Sequence, residues 1–386
     1  MHLLPRAKHH NLNICKRILK INTYSTGIVK SLEINVCGTN HIFHQPIKGT
    51  WKLDFLIYFF IQFHTLDEIL RIEHLSKFFI KKSIFSTKTS TVKAVDDVSF
   101  SLKKGEVFVL AGESGSGKST IAKLILKSIH ADSGKILFEN QEIKNDKKSL
   151  EKIRMNCQMI HQDPYDSINP RMNIADIVSE PLEIHKIGNK EDRKKRVIEV
   201  LHEVKLEPIE EILKKYPHML SGGQRQRVVL ARALALRPKI IIADEPVSML
   251  DVSIRAEMLE LMQELQKKYD ISFIYITHDL ATARYFGQRI GILYLGKIVE
   301  MGLIDDVLLK PKHPYTQALM DAISEPDPEN LNREKKIRIN EPLDIDVYLG
   351  CRFRARCPYA IEKCKTEPSL ENIEKEHFVA CYVNLD

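Results

Sequence analysis

The stretch "EVFVLAGESGSGKST", residues 106–120, joins a run of apolar residues to a glycine-rich turn that opens onto a helix-like segment. The turn fits the pattern G-x-x-x-x-G-K-[ST], with Gly112, Gly117, Lys118 and Ser119 at its fixed positions. Glycines allow successive backbone N–H groups to face one anion, and the start of a helix adds the positive end of its dipole. The pattern therefore predicts a phosphate-binding loop between a buried strand and a helix.

The chemistry of such a loop assigns roles to its side chains. The ammonium group of Lys118 reaches the β- and γ-phosphates of a nucleotide, and the hydroxyl of Ser119 ligates Mg²⁺. We therefore expect ATP and Mg²⁺ as ligands. The residues expected to line the ATP phosphates are Gly112, Glu113, Ser114, Gly115, Ser116, Gly117, Lys118, Ser119 and Thr120.

Two further apolar runs, "KIIIADEP" (239–246) and "ISFIYITHD" (271–279), resemble buried strands that end in polar residues. Strands alternate with helical segments from about 66 to 320, which predicts an α/β domain with a largely parallel sheet. Parallel strands end at one edge of a sheet, where ligands of open α/β folds bind. A polar, helix-rich block, roughly 150–235, lies between the glycine-rich loop and the second strand.

Four polar residues at the ends of strand-like runs are candidates for catalysis and metal binding. Asp244 is expected to bind Mg²⁺, and its neighbour Glu245 to polarise the attacking water. His278 is expected near the γ-phosphate, and Gln162, in "MIHQDPYDSINPR", is expected to bind both Mg²⁺ and the water. The alternative is structural: two acids that cap a strand, with a histidine and a glutamine that take no part in catalysis.

A second glycine-rich segment, "LSGGQRQRVVLARA" (220–233), also opens onto a helix. Ser221 is a good helix N-cap, and the helix is expected to stop before Pro238. Such a helix start binds an anion well, although the chain already carries a phosphate-binding loop.

The distribution of charge argues against nucleic acid as a partner. Residues 1–65 carry eight Lys or Arg against two acids, whereas the remaining 321 residues carry 50 basic and 49 acidic side chains. The body of the protein therefore has no basic domain of the kind that binds DNA. The apolar run "FLIYFFIQF" (55–63) has nine residues, and a membrane-spanning helix needs about 20.

Residues 1–65 are His-rich, basic and without sustained periodicity. Two hypotheses account for this segment. In the first, translation starts near Leu66 from a non-ATG codon, and residues 1–65 result from a wrongly assigned start of the gene. In the second, the segment is a disordered basic tail. A tryptic peptide from residues 10–50 in the native protein would exclude the first.

Together these motifs resemble those of an ATP-binding cassette ATPase, over about 70–320. The resemblance implies a P-loop fold with a mainly parallel RecA-like sheet, an N-terminal antiparallel β subdomain and an α-helical signature subdomain. The matching segments are the Walker A loop at 112–120, the Q-loop at Gln162, the signature at 220–224, the Walker B strand "IIIADE", the D-loop "SMLD" with Asp251, and the switch residue His278. Phe79 matches the aromatic residue that stacks on adenine.

The resemblance also implies why the chain has two anion-binding segments. In the family, two cassettes meet head to tail, and the signature of each closes over the ATP held by the other. Ser221, Gly222, Gly223 and Gln224 would therefore act on the ATP of a second ATPase subunit, and an unlike second subunit is expected. Hydrolysis would release the two subunits.

The segments "QDPYDSINPRMNIADIVSEPL" (162–182) and "HPYTQAL" (313–319) resemble the dipeptide, oligopeptide and nickel importers, and the second of their two ATPases. This implies two transmembrane permease subunits, an extracytoplasmic solute-binding protein, and a peripheral position on the cytoplasmic face of the membrane. Peptides are the expected cargo, with nickel or an oligosaccharide as alternatives.

Four cysteines, spaced C-x5-C-x6-C-x16-C, lie in the expected C-terminal domain, 321–386, which includes a charged linker at 325–336. They are Cys351, Cys357, Cys364 and Cys381. Four thiolates suit zinc or an iron–sulfur cluster, while disulfides and buried thiols are the alternatives. The resemblance to tails of the importer subfamily favours a four-iron, four-sulfur cluster.

Two other classes of protein use the same cassette. DNA-repair and chromosome ATPases separate the two glycine-rich segments by long coiled coils, whereas here Gly117 and Ser221 are 104 positions apart with no heptad run between them. A regulatory cassette that binds ATP without hydrolysis is disfavoured because Glu245, His278 and Gln162 are all present. We therefore expect an ATP-hydrolysing subunit of a solute importer.

Overall fold

The computed structural model describes residues 19–23, 29–36, 39–43, 68–82, 89–322 and 348–383. The strands of this part of the chain are β1 (Leu19–Thr23), β2 (Val29–Val36), β3 (Thr39–Phe43), β4 (Glu68–Lys82), β5 (Thr89–Lys103), β6 (Val107–Ala111), β7 (Ser133–Phe138), β8 (Gln141–Glu142), β9 (Cys157–Ile160), β10 (Ile240–Asp244), β11 (Ser272–Thr277), β12 (Arg289–Tyr294), β13 (Lys297–Leu303), β14 (Glu371–Glu374) and β15 (His377–Val379).

The helices of the same ranges are α1 (Lys118–Ile125), α2 (Lys147–Asn156), α3 (Pro164–Ser167), α4 (Ile174–Ile184), α5 (Lys190–Glu203), α6 (Ile209–Lys214), α7 (Gly222–Leu234), α8 (Val252–Tyr269), α9 (Leu280–Phe286), α10 (Ile304–Leu309) and α11 (Pro314–Asp321). Short 3₁₀ turns occur at Pro217–Met219 and Glu362–Lys365. Among the described residues, no helix is both long and apolar enough to cross a membrane.

The chain divides into two compact units, Met1–Leu66 and Asp67–Asp386. In the first unit, β2 pairs with β1 on one side and with β3 on the other, both antiparallel. The rest of residues 1–66 lies outside the described ranges, so both hypotheses for the segment 1–65 stay predictions.

The second unit is built on an eight-stranded sheet in the order β14-β15-β13-β12-β6-β11-β10-β9. The five strands from β12 to β9 are mutually parallel, whereas β13, β15 and β14 add antiparallel pairs at one side. The strand that carries the glycine-rich loop, β6, therefore lies inside the sheet, and the carboxyl ends of β9, β10, β11 and β6 share one edge. The predicted P-loop cassette fold is confirmed.

The central strands are apolar throughout because both faces of the sheet are covered. Every residue of β6, β10 and β11 is buried. Alternate residues enter two different cores: Phe108 and Leu110 pack into one, and Val107 and Val109 into the other. A strand of this kind holds the loop that follows it in a fixed position.

A second, antiparallel sheet in the order β5-β4-β7-β8 covers one face of the main sheet. Leu70, Ile72 and Leu102 of this sheet share a core with Phe108 and with α1. The rings of Phe100 and Phe108 stack with their centroids 4.8 Å apart. This sheet corresponds to the antiparallel β subdomain that the resemblance implied.

The segment 150–235 contains the helices from α3 to α7 and also the strand β9, which pairs with β10 in the main sheet. The helices pack on one another through buried residues such as Ile177, Val200 and Leu230. Several of their N-termini carry local caps, for example Asn189 at α5, whose side chain accepts from the N–H groups of Glu191 and Asp192.

The expected separate Cys-rich domain is not confirmed. Residues 348–383 belong to the same compact unit as the cassette. Val379 and Phe378 of β15 pair with Glu300 and Met301 of β13, and Phe353 is 1% exposed within the main core. So short a segment cannot bury a sufficient core of its own, and it extends the sheet and core of the cassette instead. The linker expected at 325–336 lies outside the described residues.

Candidate functional site

The glycine-rich loop after β6 packs closely against the backbones of β12 and β5. Gly112 has φ of 148° and Gly117 has φ of 113°, in the region that side chains rarely adopt. A Cβ on Gly112 would lie 2.1 Å from the carbonyl oxygen of Leu293, and one on Gly117 would lie 2.1 Å from that of Ala94. Both positions therefore require glycine for conformation and for space.

The side chain of Lys118 lies inside this loop and binds its backbone. Its side chain is almost fully buried, and Nζ donates to the carbonyl oxygens of Gly112 and Glu113 at 2.7 and 2.8 Å. Burial lowers the pKa of the Lys118 ammonium, while the charges of Glu245 and Asp244 oppose this shift. A positive charge is thus held at the centre of the loop, within the field of two carboxylates.

The start of α1 is open to an anion. Gly117 is the N-cap residue and supplies no side-chain acceptor to the first turn of the helix. The loop in front of it is tied to the fold, because the N–H of Gly296 donates to the carbonyl of Ser116 at 2.8 Å. N–H groups without a side-chain cap at a fixed helix start suit a phosphate group.

Asp244 and Ser119 form a pair of oxygen donors beside the loop. Burial raises the pKa of the Asp244 carboxyl, and a hydrogen bond from Ser119 acts in the opposite direction. Within the described ranges, no group of three or more His, Cys, Asp or Glu is arranged to hold a metal ion. Mg²⁺ bound with nucleotide phosphates needs only one or two protein oxygens, so this hydroxyl–carboxylate pair fits it.

Glu245 brings three of the four predicted polar residues into direct contact. Its Oε2 accepts from Gln162 Nε2 at 3.0 Å, and its Oε1 lies 2.8 Å from Nδ1 of His278. The Glu245 side chain is 15% exposed, and its backbone turns into the left-handed region with φ of 47°. Residues that follow β9, β10 and β11 thus meet at the shared edge of the sheet.

The signature segment is organised by its own residues. The Ser221 hydroxyl accepts from the N–H of Gln224 at 3.2 Å, and the Gln224 side chain accepts from the N–H of Ser221 at 3.1 Å. This capping box fixes the start of α7. A Cβ on Gly223 would lie 2.6 Å from Ile254, so Gly223 allows α7 to approach α8.

The D-loop residue Asp251 is the N-cap of α8, without a side-chain hydrogen bond to that helix. Met249 and Val252, close to it in the chain, are 65% and 80% exposed. Asp251 and these neighbours therefore lie on the surface of the described structure.

Phe79 lies in β4 and is 43% exposed. It is paired with Val92 of β5, two residues from Ala94, whose carbonyl lies against Gly117. Phe79 is therefore an accessible aromatic ring near the strand that supports the phosphate loop.

The four cysteines of the C-terminal segment line one small cavity together with His313 and Phe353. None of the four forms a disulfide. Burial raises the pKa of the Cys351 and Cys357 thiols to about 11. As arranged, the described side chains form no metal-binding group. The metal centre implied by the resemblance therefore lacks support from the geometry.

Two residues of the site were missed from the sequence. Tyr315 and Arg356 both contact Glu113 of the phosphate loop. Tyr315 belongs to the segment "HPYTQAL", whose pattern indicated the importer subfamily and nothing about the phosphate loop. Arg356 lies among the cysteines, and its spacing from the loop gave no signal of contact.

Comparison with known protein families agrees with this geometry. The family model described as ABC transporter matches residues 95–248, and the one described as oligopeptide/dipeptide transporter, C-terminal region, matches residues 299–364. The oligopeptide transport ATP-binding protein AppF of Bacillus subtilis is 41% identical over 323 residues, which cover 82% of this chain and 98% of AppF. OppF of Haemophilus influenzae is 44% identical and covers 81% of this chain and 96% of OppF.

A probable peptide ABC transporter ATP-binding protein of Sinorhizobium fredii is 41% identical, with 82% of this chain and 90% of the relative covered. Among solved structures, cbiO1 from Clostridium perfringens matches with a TM-score of 0.55 and 28% identity, over 63% of this chain and 92% of that one. The dimeric cassette MJ0796, bound to ADP and Pi, matches with a TM-score of 0.54 and 30% identity, over 61% and 98%. The chain therefore belongs to the ABC transporter family, as an ATPase that carries the C-terminal region of oligopeptide/dipeptide transporters.

Proposed function

We propose that this ATPase energises the import of peptides through a membrane permease. The observation that carries the proposal is the contact of Gln162 and His278 with Glu245, at the sheet edge where Lys118 closes the phosphate loop. A cassette that only binds ATP has no need of this arrangement. The match to the C-terminal region of oligopeptide/dipeptide transporters supports a peptide cargo over a role in DNA repair.

In the proposed mechanism, the loop residues 112–120 bind the ATP phosphates and Lys118 offsets their negative charge. Ser119 and Asp244 would hold Mg²⁺, which supplies a positive charge that stabilises the leaving phosphates. Glu245 accepts a proton from the attacking water, and polar partners on both of its oxygens hold the carboxylate in place. His278 and Gln162 fix the direction of that carboxylate, and Phe79 stacks on the adenine.

Ser221, Gly222, Gly223 and Gln224 are proposed to act on the ATP of a second subunit, with Asp251 at the contact between the two. The reciprocal hydrogen bonds of Ser221 and Gln224 present an ordered helix start for an anion. The MJ0796 cassette, which shares this fold, is a dimer bound to ADP and Pi, and this supports assembly of two cassettes. We propose that the second subunit is an unlike ATPase.

The further partners proposed are two transmembrane permease subunits and an extracytoplasmic solute-binding protein. The names of AppF and OppF describe oligopeptide transport, and this supports the same assembly here. The proposed location is the cytoplasmic face of the membrane, as a peripheral subunit.

The cargo is tested by reconstitution of the complete transporter in liposomes, with the solute-binding protein outside. ATP-dependent uptake of a labelled oligopeptide is expected, and the same complex with Glu245→Gln should take up none. Uptake of nickel or an oligosaccharide, without uptake of peptide, would contradict the proposed cargo.

The four cysteines are proposed to hold a four-iron, four-sulfur cluster, with zinc as the alternative. Thiolates are the donors of such clusters, and all four cysteines line one cavity, although their side chains are not arranged as a metal-binding group. The proposal therefore rests on the resemblance of this region to the tails of the importer subfamily. The full chain purified without oxygen should contain about four irons and four acid-labile sulfides. Cys364→Ser should lose them, whereas Cys157→Ser, in β9, should retain them. A colourless protein with zinc, or with neither metal, would refute the cluster.

A further inference from the structure

Glu113 is the residue of the phosphate loop that the C-terminal region contacts directly. The N–H of Glu113 donates to the hydroxyl oxygen of Tyr315 at 2.9 Å. Its carboxylate lies 3.2 Å from Nη1 of Arg356. Tyr315 therefore holds the backbone of Glu113, and Arg356 holds its side chain. Both residues follow β12, the last parallel strand along the chain.

Tyr315 is placed by a rigid local structure. Nδ1 of His313 accepts from the N–H of Tyr315 at 3.0 Å, and the N–H of His313 donates to Glu300 at 2.9 Å. Burial lowers the pKa of His313 to about 4, so the imidazole is neutral and can accept this hydrogen bond. Pro314 is the first residue of α11, and His313 is the N-cap residue of that helix. Burial raises the pKa of Tyr315 far above its usual range, so its hydroxyl stays neutral.

Arg356 is restricted by aromatic rings. Tyr294 and Tyr315 lie with ring centroids 4.4 Å apart, and Phe353 lies 5.4 Å from the first and 5.6 Å from the second. The guanidinium of Arg356 is within 6.0 Å of the Tyr294 and Phe353 rings, and its Nη1 lies 3.4 Å from the Tyr294 hydroxyl. This packing reduces the number of conformations in which Arg356 can reach Glu113.

The charge of Arg356 matters because of what Glu113 borders. A carboxylate in a loop that binds phosphates repels the ligand. The Glu113 side chain is 46% exposed, so solvent screens part of this repulsion, and the effect expected from neutralising it is modest. Glu113 also acts on Lys118, since its charge raises the pKa of that ammonium. The positive charge of Arg356, a residue of the C-terminal region, offsets the negative charge of the Glu113 carboxylate.

We propose that Tyr315 and Arg356 are positioning residues for the phosphate loop, through Glu113. Tyr315 fixes the backbone of the loop, and Arg356 neutralises its carboxylate, so that the C-terminal region sets the affinity for ATP. The proposal rests on the proposed ATP site at residues 112–120. It assigns a physical role to the segment "HPYTQAL" and to an arginine among the cysteines.

The test measures equilibrium binding of a fluorescent ATP analogue to the purified full chain. Arg356→Ala should weaken binding about fivefold, a free-energy change of about 1 kcal/mol. Arg356→Lys, which keeps the charge, should lie within about twofold of the unmodified chain. Arg354→Ala is the matched control, because it removes the same charge from the same segment and should have no effect on affinity.

The decisive comparison is Arg356→Ala in a chain that carries Glu113→Gln. If Arg356 acts by neutralising Glu113, the substitution should now change affinity less than about twofold. An undiminished fivefold loss in this background would overturn the electrostatic part of the proposal. So would an Arg356→Ala chain with unchanged affinity but fewer binding sites, because this outcome reports unfolding.

Tyr315→Phe tests the backbone contact, since it removes the hydroxyl and leaves the ring. It should weaken ATP-analogue binding about threefold to fivefold, with the Tm of the chain lowered by only a few degrees. Unchanged affinity would refute the positioning role of Tyr315. Lys118→Ala separates this test from the proposed site itself: if that variant binds the analogue normally, the site at 112–120 is wrong, whatever Arg356 does.

Discussion

Nδ1 of His278 lies 2.8 Å from Oε1 of Glu245, although the two residues follow different strands and are 33 positions apart in the chain. Gln162 occupies the other carboxylate oxygen from a third strand. The carboxylate is therefore oriented from both sides by the fold itself. Preorganised polar groups of this kind lower the cost of reorganisation during a reaction.

The replacement Glu245→Gln should reduce ATP turnover by about 10²- to 10³-fold, because an amide cannot accept the proton of the attacking water. ATP binding should be retained, and the ATP-bound pair of subunits should accumulate. Phosphate release and light scattering measure the two effects. Steady-state turnover at the normal rate would show that another residue is the catalytic base.

Ser221→Arg should block the site of the partner subunit while its own chain still binds ATP. The substitution removes the capping box with Gln224 and places a large cation where an anion is expected. Hydrolysis in the assembled pair should fall at least tenfold, with the affinity of the isolated chain within about twofold. If the isolated chain lost its own ATP binding, the head-to-tail arrangement would be wrong.

Asp244→Asn should separate stability from activity. Burial raises the pKa of Asp244, so the folded state binds its proton more tightly than the unfolded state, and stability falls as pH rises above about 3.8. The buried charge carries a free-energy cost at neutral pH, and the amide of Asn removes this cost. We expect Tm to rise by roughly 2–4 °C at pH 7, with Mg²⁺-dependent turnover lost.

The control for this change is the same pair of chains at low pH, where the Tm difference should shrink as Asp244 becomes protonated. A lower Tm for Asp244→Asn at pH 7, measured by calorimetry, would contradict the account of the buried carboxylate.

Gly117→Ala should destabilise the phosphate loop because the new Cβ would lie 2.1 Å from the carbonyl oxygen of Ala94. A loss of about 2 kcal/mol or more in the free energy of unfolding is expected, together with the loss of ATP binding. Gly115→Ala is the matched control: its φ is 78°, but nothing lies within 4 Å of the added atom. It should cost about 1 kcal/mol. Equal losses in both variants, by denaturant unfolding, would exclude the steric explanation.

Several features of the protein followed from short-range patterns in the sequence. The run at 106–120 contains a buried strand, a turn and a helix start, and each is fixed by neighbours within a few residues. The same holds for the ends of β10 and β11, where an apolar run stops at Asp244 or just before His278. Because parallel strands end at one edge, these positions predicted a shared site without knowledge of the strand order.

Other features depended on how distant segments pack. The sequence suggested a separate Cys-rich domain, but β15 pairs with β13 and Phe353 enters the main core. No local pattern encodes such pairing, because the hydrogen bonds and buried area that favour it come from strands far away in the chain.

The amino-acid sequence alone determined the family, the phosphate loop and the identity of the polar groups at its edge, since motifs of fixed spacing express local geometry. Only the tertiary structure decided that Glu245 receives two polar partners at once, and that Tyr315 and Arg356 reach Glu113 from more than 200 positions away. The physical reason is that a contact between residues so far apart in the chain depends on the packed core that brings their segments together. The spacing of residues along the chain does not encode this packing.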